Sequence, residues 1–115
     1  MSVKLYYNPR CSKSRQTLSL IQEQGIQPEI IEYLKDMLTA DEIRTILKLL
    51  NLSPRELMRK SEPIYKKKNL EDPALTDDVL IKAMIENPIL IERPILLANK
   101  KAALGRPPES VLKIL

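Results

Sequence analysis

One thiol, Cys11, is the only cysteine in this chain. It stands in the run Tyr7-Asn8-Pro9-Arg10-Cys11-Ser12-Lys13-Ser14-Arg15. The Asn8-Pro9 pair predicts a turn after a short apolar strand, with a helix beginning at or just after the thiol. The unsatisfied N–H groups and the positive end of that helix would face the sulfur. Such a setting favours the thiolate, which is the nucleophilic form, and the same geometry binds oxyanions. Arg10, Lys13 and Arg15 add positive charge nearby. Arg59, Arg93 and Arg106 are the further cations that could converge on the site. A tetrahedral oxyanion offers several acceptor oxygens, which arginine forks match with paired hydrogen bonds. They would also offset the repulsion between a thiolate and a charged substrate.

Each candidate also has a plainer reading. Cys11 could be a buried structural thiol, but its flanks are polar and cationic. Arg93 could pair with Glu92 or another acid. Arg59 could sit at a helix C-terminus, and Arg106 could be an ordinary turn residue. Lys66-Lys67-Lys68 reads as solvated surface, with docking of an acidic partner as the other possibility.

These residues need elements to position them. Leu5 to Tyr7 reads as a strand, and Ser12 to Gln24 as a helix with Leu18 and Ile21 on its inner face and Leu20 beside them. Gly25 stops that helix. Glu29 to Tyr33 reads as a second strand, which makes a βαβ unit. Thr39 and Glu42 form a capping box ahead of Ile43, Ile46, Leu47 and Leu50. Ser53, Pro54 and Glu56 repeat the device ahead of Leu57 and Met58. Thr76 opens another helix through Leu80, Ile81, Met84 and Ile85, ended by Asn87-Pro88. Ile95 to Ala98 and Ala102 to Leu104 read as a hairpin around Asn99-Lys100-Lys101. A short helix follows Gly105-Arg106-Pro107-Pro108, through Val111, Leu112 and Leu115. The expected fold class is α/β, a thioredoxin-like core (β-α-β … β-β-α, a mixed four-stranded sheet) with an inserted helical block at about 37–87. All 115 residues are expected to form one domain. In this topology the first strand ends at the reactive thiol, and the turn before the third strand often holds a cis-proline. Arg93-Pro94-Ile95 falls at that point.

Composition removes several classes of function. With 43% apolar residues the chain can fold, and with no Phe or Trp its core must come from aliphatic residues, Met and Ala. A lone cysteine excludes an internal disulfide and an internal dithiol couple. No histidine is present, so Cys/His zinc sites and a His general base are excluded. No metal and no bound cofactor are expected. The net charge of +4 is modest, and four tyrosines make a poor stacking surface, so nucleic acid is not expected as a partner. No apolar run reaches the length of a membrane span, and Lys4 with the Tyr pair interrupts any signal-peptide pattern. The expectation is a soluble, cytoplasmic monomer.

The motifs together resemble the glutaredoxin-dependent arsenate reductase family. The matching features are Asn8-Pro9-Arg10-Cys11-Ser12 with Ser14-Arg15, Tyr33-Leu34, Leu57-Met58-Arg59-Lys60, Asn87 to Ile95, and Gly105-Arg106-Pro107. They occur in family order and span nearly the whole chain. The resemblance implies that Cys11 attacks arsenate and that Arg59, Arg93 and Arg106 bind the oxyanion, with Asn8, Arg10, Ser14 and Pro94 in support. It also implies glutathione as co-substrate and glutaredoxin as partner, which agrees with the absence of a resolving thiol in the chain. The best-studied members of that family carry a histidine where this chain has Tyr7, so thiol activation would fall to the helix terminus and to Arg10 or Lys13. Two other functions fit the same residues. One is a thioredoxin-fold regulator that binds RNA polymerase, although the Cys-x-x-Cys pair usual there is absent. The other is a glutathione-dependent thiol oxidoreductase with another substrate, such as a mixed disulfide.

Overall fold

The computed structural model describes residues 3–115. Contacts divide the chain into two compact units, one of Met1–Asp36 with Arg93–Leu115 and one of Met37–Glu92.

The first unit holds a four-stranded sheet in the order β2-β1-β3-β4, with β1 at Lys4–Tyr6, β2 at Glu29–Ile31, β3 at Ile95–Ala98 and β4 at Lys101–Leu104. β1 runs parallel to β2 and antiparallel to β3, and β3 and β4 form a hairpin. The parallel pair needs a crossover, supplied by helix α1 at Ser12–Glu23. The hairpin turns at Asn99 and Lys100, whose φ values of 53° and 62° are the two positive angles a tight primed turn requires.

Leu5 and Leu96 face each other across β1 and β3, and both are fully buried. They pack with Ile21 of α1, Ala98 and Val111. Each such side chain contributes on the order of 1.5–3 kcal/mol by leaving water. The fully buried residues of α1 are Ser14, Thr17 and Ile21, of which only Ile21 was expected on the inner face. Leu18 reaches the edge of this core, but Leu20 is only half-buried. Small polar residues take the inner positions near the N-terminus of α1, where it approaches the chain after β4. Gly25, with φ 76°, closes α1 as expected. The last segment, Pro108–Ile114, is 3-10 rather than α-helical.

The second unit is helical: α2 at Ala40–Leu50, α3 at Pro54–Leu57, α4 at Pro63–Lys67 and α5 at Asp77–Glu86, then a 3-10 turn at Pro88–Leu90. Both expected capping boxes form, Thr39 with Glu42 and Ser53 with Glu56, each with reciprocal hydrogen bonds. α5 packs against α2, α3 and the 3-10 turn, burying Ile43, Ile46, Leu57, Leu80, Ile81 and Met84. Helix α4 has no cap signal of its own. It contains Lys66 and Lys67, and Arg55 ties its Tyr65 hydroxyl to the carbonyls of Leu70 and Asp72. Among the described residues, no helix is long and apolar enough to cross a membrane.

Replacing Thr39 by Ala removes the side-chain acceptor at the start of α2. The expected loss is about 1 kcal/mol of unfolding free energy, read as a lower urea midpoint with an unchanged slope.

Candidate active site

The thiol loop is built by its own backbone. The Asn8 carbonyl accepts the Cys11 N–H at 3.0 Å, and Asn8 Oδ1 accepts the Arg10 N–H at 3.0 Å. Asn8 is buried and its side chain closes the turn in the manner usual for Asn. Arg15 Nη1 donates to the Pro9 carbonyl at 2.8 Å. Arg15 therefore fastens the loop it follows. Cys11 takes the N-cap position in extended conformation (φ −93°, ψ 121°), and its carbonyl accepts the Arg15 N–H at 3.1 Å.

Burial pushes the Cys11 thiol up, but hydrogen bonds outweigh it and lower the thiol to about 7 from an ordinary 9.0. Those hydrogen bonds come from the Ser14 N–H, the Ser14 hydroxyl, the Arg93 side chain and the Lys13 N–H. The sulfur makes no well-aligned N-cap bond of the kind an oxygen makes, so these are soft contacts to a large acceptor. The helix terminus acts as expected. The side-chain charges of Arg10 and Lys13 are not among the causes, and Arg93 takes that part. Ser14 is fully buried, and its Oγ also accepts the Asn8 N–H at 3.3 Å. One hydroxyl thus links the turn to the sulfur.

The chain returns to the thiol twice. The Arg93–Pro94 peptide is cis, and Arg93 is only 9% exposed. After β4, Arg106 donates from Nε to the Arg93 carbonyl at 2.8 Å, and its Nη2 lies 3.9 Å from Cys11 Sγ. The Arg106–Pro107 peptide is also cis, which no sequence feature announces. Gly105 is a second residue whose part the sequence does not announce. Its N–H donates to the Pro94 carbonyl at 2.9 Å. A Cβ there would come within 2.5 Å of Thr17 Oγ1 and 2.6 Å of Pro94 Cγ. Only glycine lets the strand after the hairpin lie so close to Pro94 and α1.

Cys11, Asn8, Ser14, Arg93, Pro94 and Arg106 therefore meet at one end of the sheet. Arg10 is exposed on the flank of the loop. Arg59 belongs to the helical unit. Its N–H donates to the Leu90 carbonyl at 2.7 Å, beside a bridge between Met58 and Ile91. Its guanidinium pairs with Glu92 at 3.0 Å and Glu62 at 3.7 Å. Glu92 was a candidate partner for its neighbour Arg93. It accepts from an arginine 33 positions away, an interaction with no local signature. Among the described residues there is no group of acids or Cys that could hold a metal ion.

A model of the ArsC family matches residues 6–114. The uncharacterized protein YfgD of Escherichia coli K12 is 54% identical over 113 residues, covering 97% of this chain and 95% of that one. An arsenate reductase of Haemophilus influenzae is 47% identical over 116 residues, with all of both chains covered. A solved arsenate reductase from Vibrio cholerae matches with a TM-score of 0.97 at 50% identity, covering all of this chain and 98% of its own. At that similarity the shared architecture is the thioredoxin-like α/β fold of those reductases.

Two outcomes are expected. The rate of Cys11 alkylation by iodoacetamide should rise with pH about a midpoint near 7. Ser14→Ala removes the hydroxyl donor and keeps the backbone N–H, so the midpoint should move up. With a midpoint raised to about 8, the rate at neutral pH would be about fivefold lower, in line with the smaller thiolate fraction. A midpoint that does not move would show that the Ser14 hydroxyl plays no part. Separately, Gly105→Ala should cost on the order of 1–3 kcal/mol in chemical denaturation, because Thr17 and the Pro94 ring have little room to give.

Proposed function

The chain belongs to the ArsC family, and on that premise we propose that it reduces arsenate to arsenite, using Cys11 as nucleophile with glutathione and glutaredoxin as external thiols. The observation that carries this reading is the Cys11 sulfur itself, held near neutral acidity between a helix N-terminus and two arginines.

The thiolate attacks arsenic. One Sγ–As bond forms, and one arsenate oxygen leaves as water after taking a proton from solvent. Arg93 and Arg106 bind the remaining oxygens, and Arg59 is the third ligand on the family pattern. Glutathione then adds its sulfur to arsenic, and a second oxygen leaves as water. A glutaredoxin thiolate attacks the glutathione sulfur. The electron pair of that S–As bond stays on arsenic, which falls from pentavalent to trivalent, while the two sulfurs become a disulfide. Water displaces Sγ, arsenite leaves and the Cys11 thiolate returns. Two electrons pass from two external thiols to arsenic, so one cysteine in the chain suffices.

Chemistry separates arsenate from its isosteres. Arsenic(V) takes thiolate ligands and is then reduced by thiols, whereas phosphate is not. The reaction belongs in a reducing compartment, which for a bacterial-type enzyme with a free thiol is the cytoplasm.

Arsenate-dependent NADPH oxidation, coupled through glutathione, glutaredoxin and glutathione reductase, tests the reading. Wild type should turn over and Cys11→Ser should not. Arg93→Ala and Arg106→Ala should each lower kcat/KM for arsenate by about 100-fold, the usual effect of losing one oxyanion donor. Folded wild type with a reduced thiol and no turnover would sink the reading and turn the search to other thiol substrates or to a protein partner.

A further inference from the structure

A cavity of about 230 Å³ opens beside the thiol loop, lined by Tyr7, Pro9, Arg10, Glu32, Leu34 and Lys35. None of the arsenate chemistry above uses it. Tyr7, Pro9 and Leu34 give it apolar walls, and Leu34 is 40% exposed, well outside the core. Arg10, Lys35 and Glu32 put two positive charges and one negative charge around it. Arg10 is bonded to Cys11, and neighbouring Cα atoms are about 3.8 Å apart. The cavity therefore shares a wall with the loop that carries the thiol.

We propose that this cavity seats the resolving thiol, a glutathione-type tripeptide with two carboxylates and one ammonium. The proposal rests on the reading that a small external thiol attacks an adduct on Cys11. Its charges match the cavity in number and sign. The two carboxylates meet Arg10 and Lys35, and the ammonium meets Glu32. Glu32 and Lys35 now pair with each other at 3.6 Å, with Lys35 77% exposed. An exposed pair of that kind is weak, so a ligand can replace it with little loss. The cysteinyl methylene and the peptide units lie against Tyr7 and Leu34. The cavity is smaller than the roughly 300–1,000 Å³ of an enclosed small-molecule site. That suits a co-substrate that stays half in water and exchanges at every turnover.

Docked there, the tripeptide has its sulfur directed at the thiol loop. Its S–H proton and one solvent proton leave with an arsenic-bound oxygen as water when the new S–As bond forms. Arsenic stays pentavalent in this step. Tyr7 also acquires a role, as the flat ring that walls the cavity beside the loop.

The test is a titration of reduced glutathione into isotope-labelled Cys11→Ser protein, followed by NMR. The expected result is saturable shifts at the amides of Tyr7, Arg10, Leu34 and Lys35. Lys35→Glu should weaken that binding about threefold to tenfold, the combined effect of losing one exposed ion pair and setting two like charges side by side. In the coupled assay the same variant should raise the KM for glutathione by the same factor and leave the KM for arsenate unchanged. Shifts that are absent or lie elsewhere, or a Lys35→Glu protein that binds as wild type does, would overturn the proposal. The titration needs no turnover. Binding at these amides without arsenate reduction would retire the arsenate reading and keep the site. Arsenate reduction with these amides unmoved would do the reverse.

Discussion

The site depends on one constraint: a sulfur must carry negative charge while partly removed from water. Burial alone would keep it protonated. The fold answers with donors rather than with a base, since the chain has no histidine to supply one. The first turn of α1 presents the N–H groups of Lys13 and Ser14, the Ser14 hydroxyl adds another donor, and Arg93 supplies a full charge. Each of these needs its own support. Ser14 is fixed because its oxygen also accepts from Asn8. Arg93 lies just ahead of β3, whose position is set by pairing with β1. Arg106 is turned towards the sulfur by its bond to the Arg93 carbonyl. The approach of that segment in turn requires Gly105.

The arginines near this chemistry are not interchangeable. Arg15 is occupied in holding the Pro9 carbonyl. Arg93 is buried and bears on the thiol, and Arg106 reaches it from a more exposed position. Arg59 is clasped by Glu62 and Glu92. Two carboxylates on one guanidinium fix its direction and reduce its net charge. A count of cations along the sequence cannot distinguish these duties, because each is assigned by a carbonyl or carboxylate brought in from elsewhere in the chain.

That difference explains what was legible in the sequence. Local signals with a local mechanism were readable. The Asn8-Pro9 turn, both capping boxes, the Gly25 stop and the Asn99-Lys100 turn all depend on neighbours within a few residues. The order of strands and helices followed from them, and with it the place of Cys11 at the end of β1. What escaped depends on interactions across the chain. Thr17 takes an inward place because the chain after β4 comes too near α1 for a large side chain. Glu92 pairs with Arg59, 33 positions away. Gly105 looked like a routine helix start, yet its missing side chain is what admits Pro94. Helix α4 has no cap residue to announce it and is tied down by Arg55 from another helix.

A thiol near 7 also bears on why the proposed reaction takes its second thiol from outside the chain. Nucleophilicity falls as a thiol becomes more acidic, but leaving ability rises, and the best attacking thiol has a pKa near the ambient pH. In the proposed reaction Cys11 must do both, first attacking an oxyanion and later leaving arsenic. A far more acidic thiol would leave readily and attack poorly. An ordinary thiol would be mostly protonated at neutral pH and would leave slowly. The donors around Sγ hold it between those limits. A resolving cysteine within the chain would have to approach the same donors and would compete for them. Taking the second sulfur from a small exchangeable molecule leaves the donors to Cys11 and the substrate. The chain then needs only a place beside the loop where that molecule can dwell.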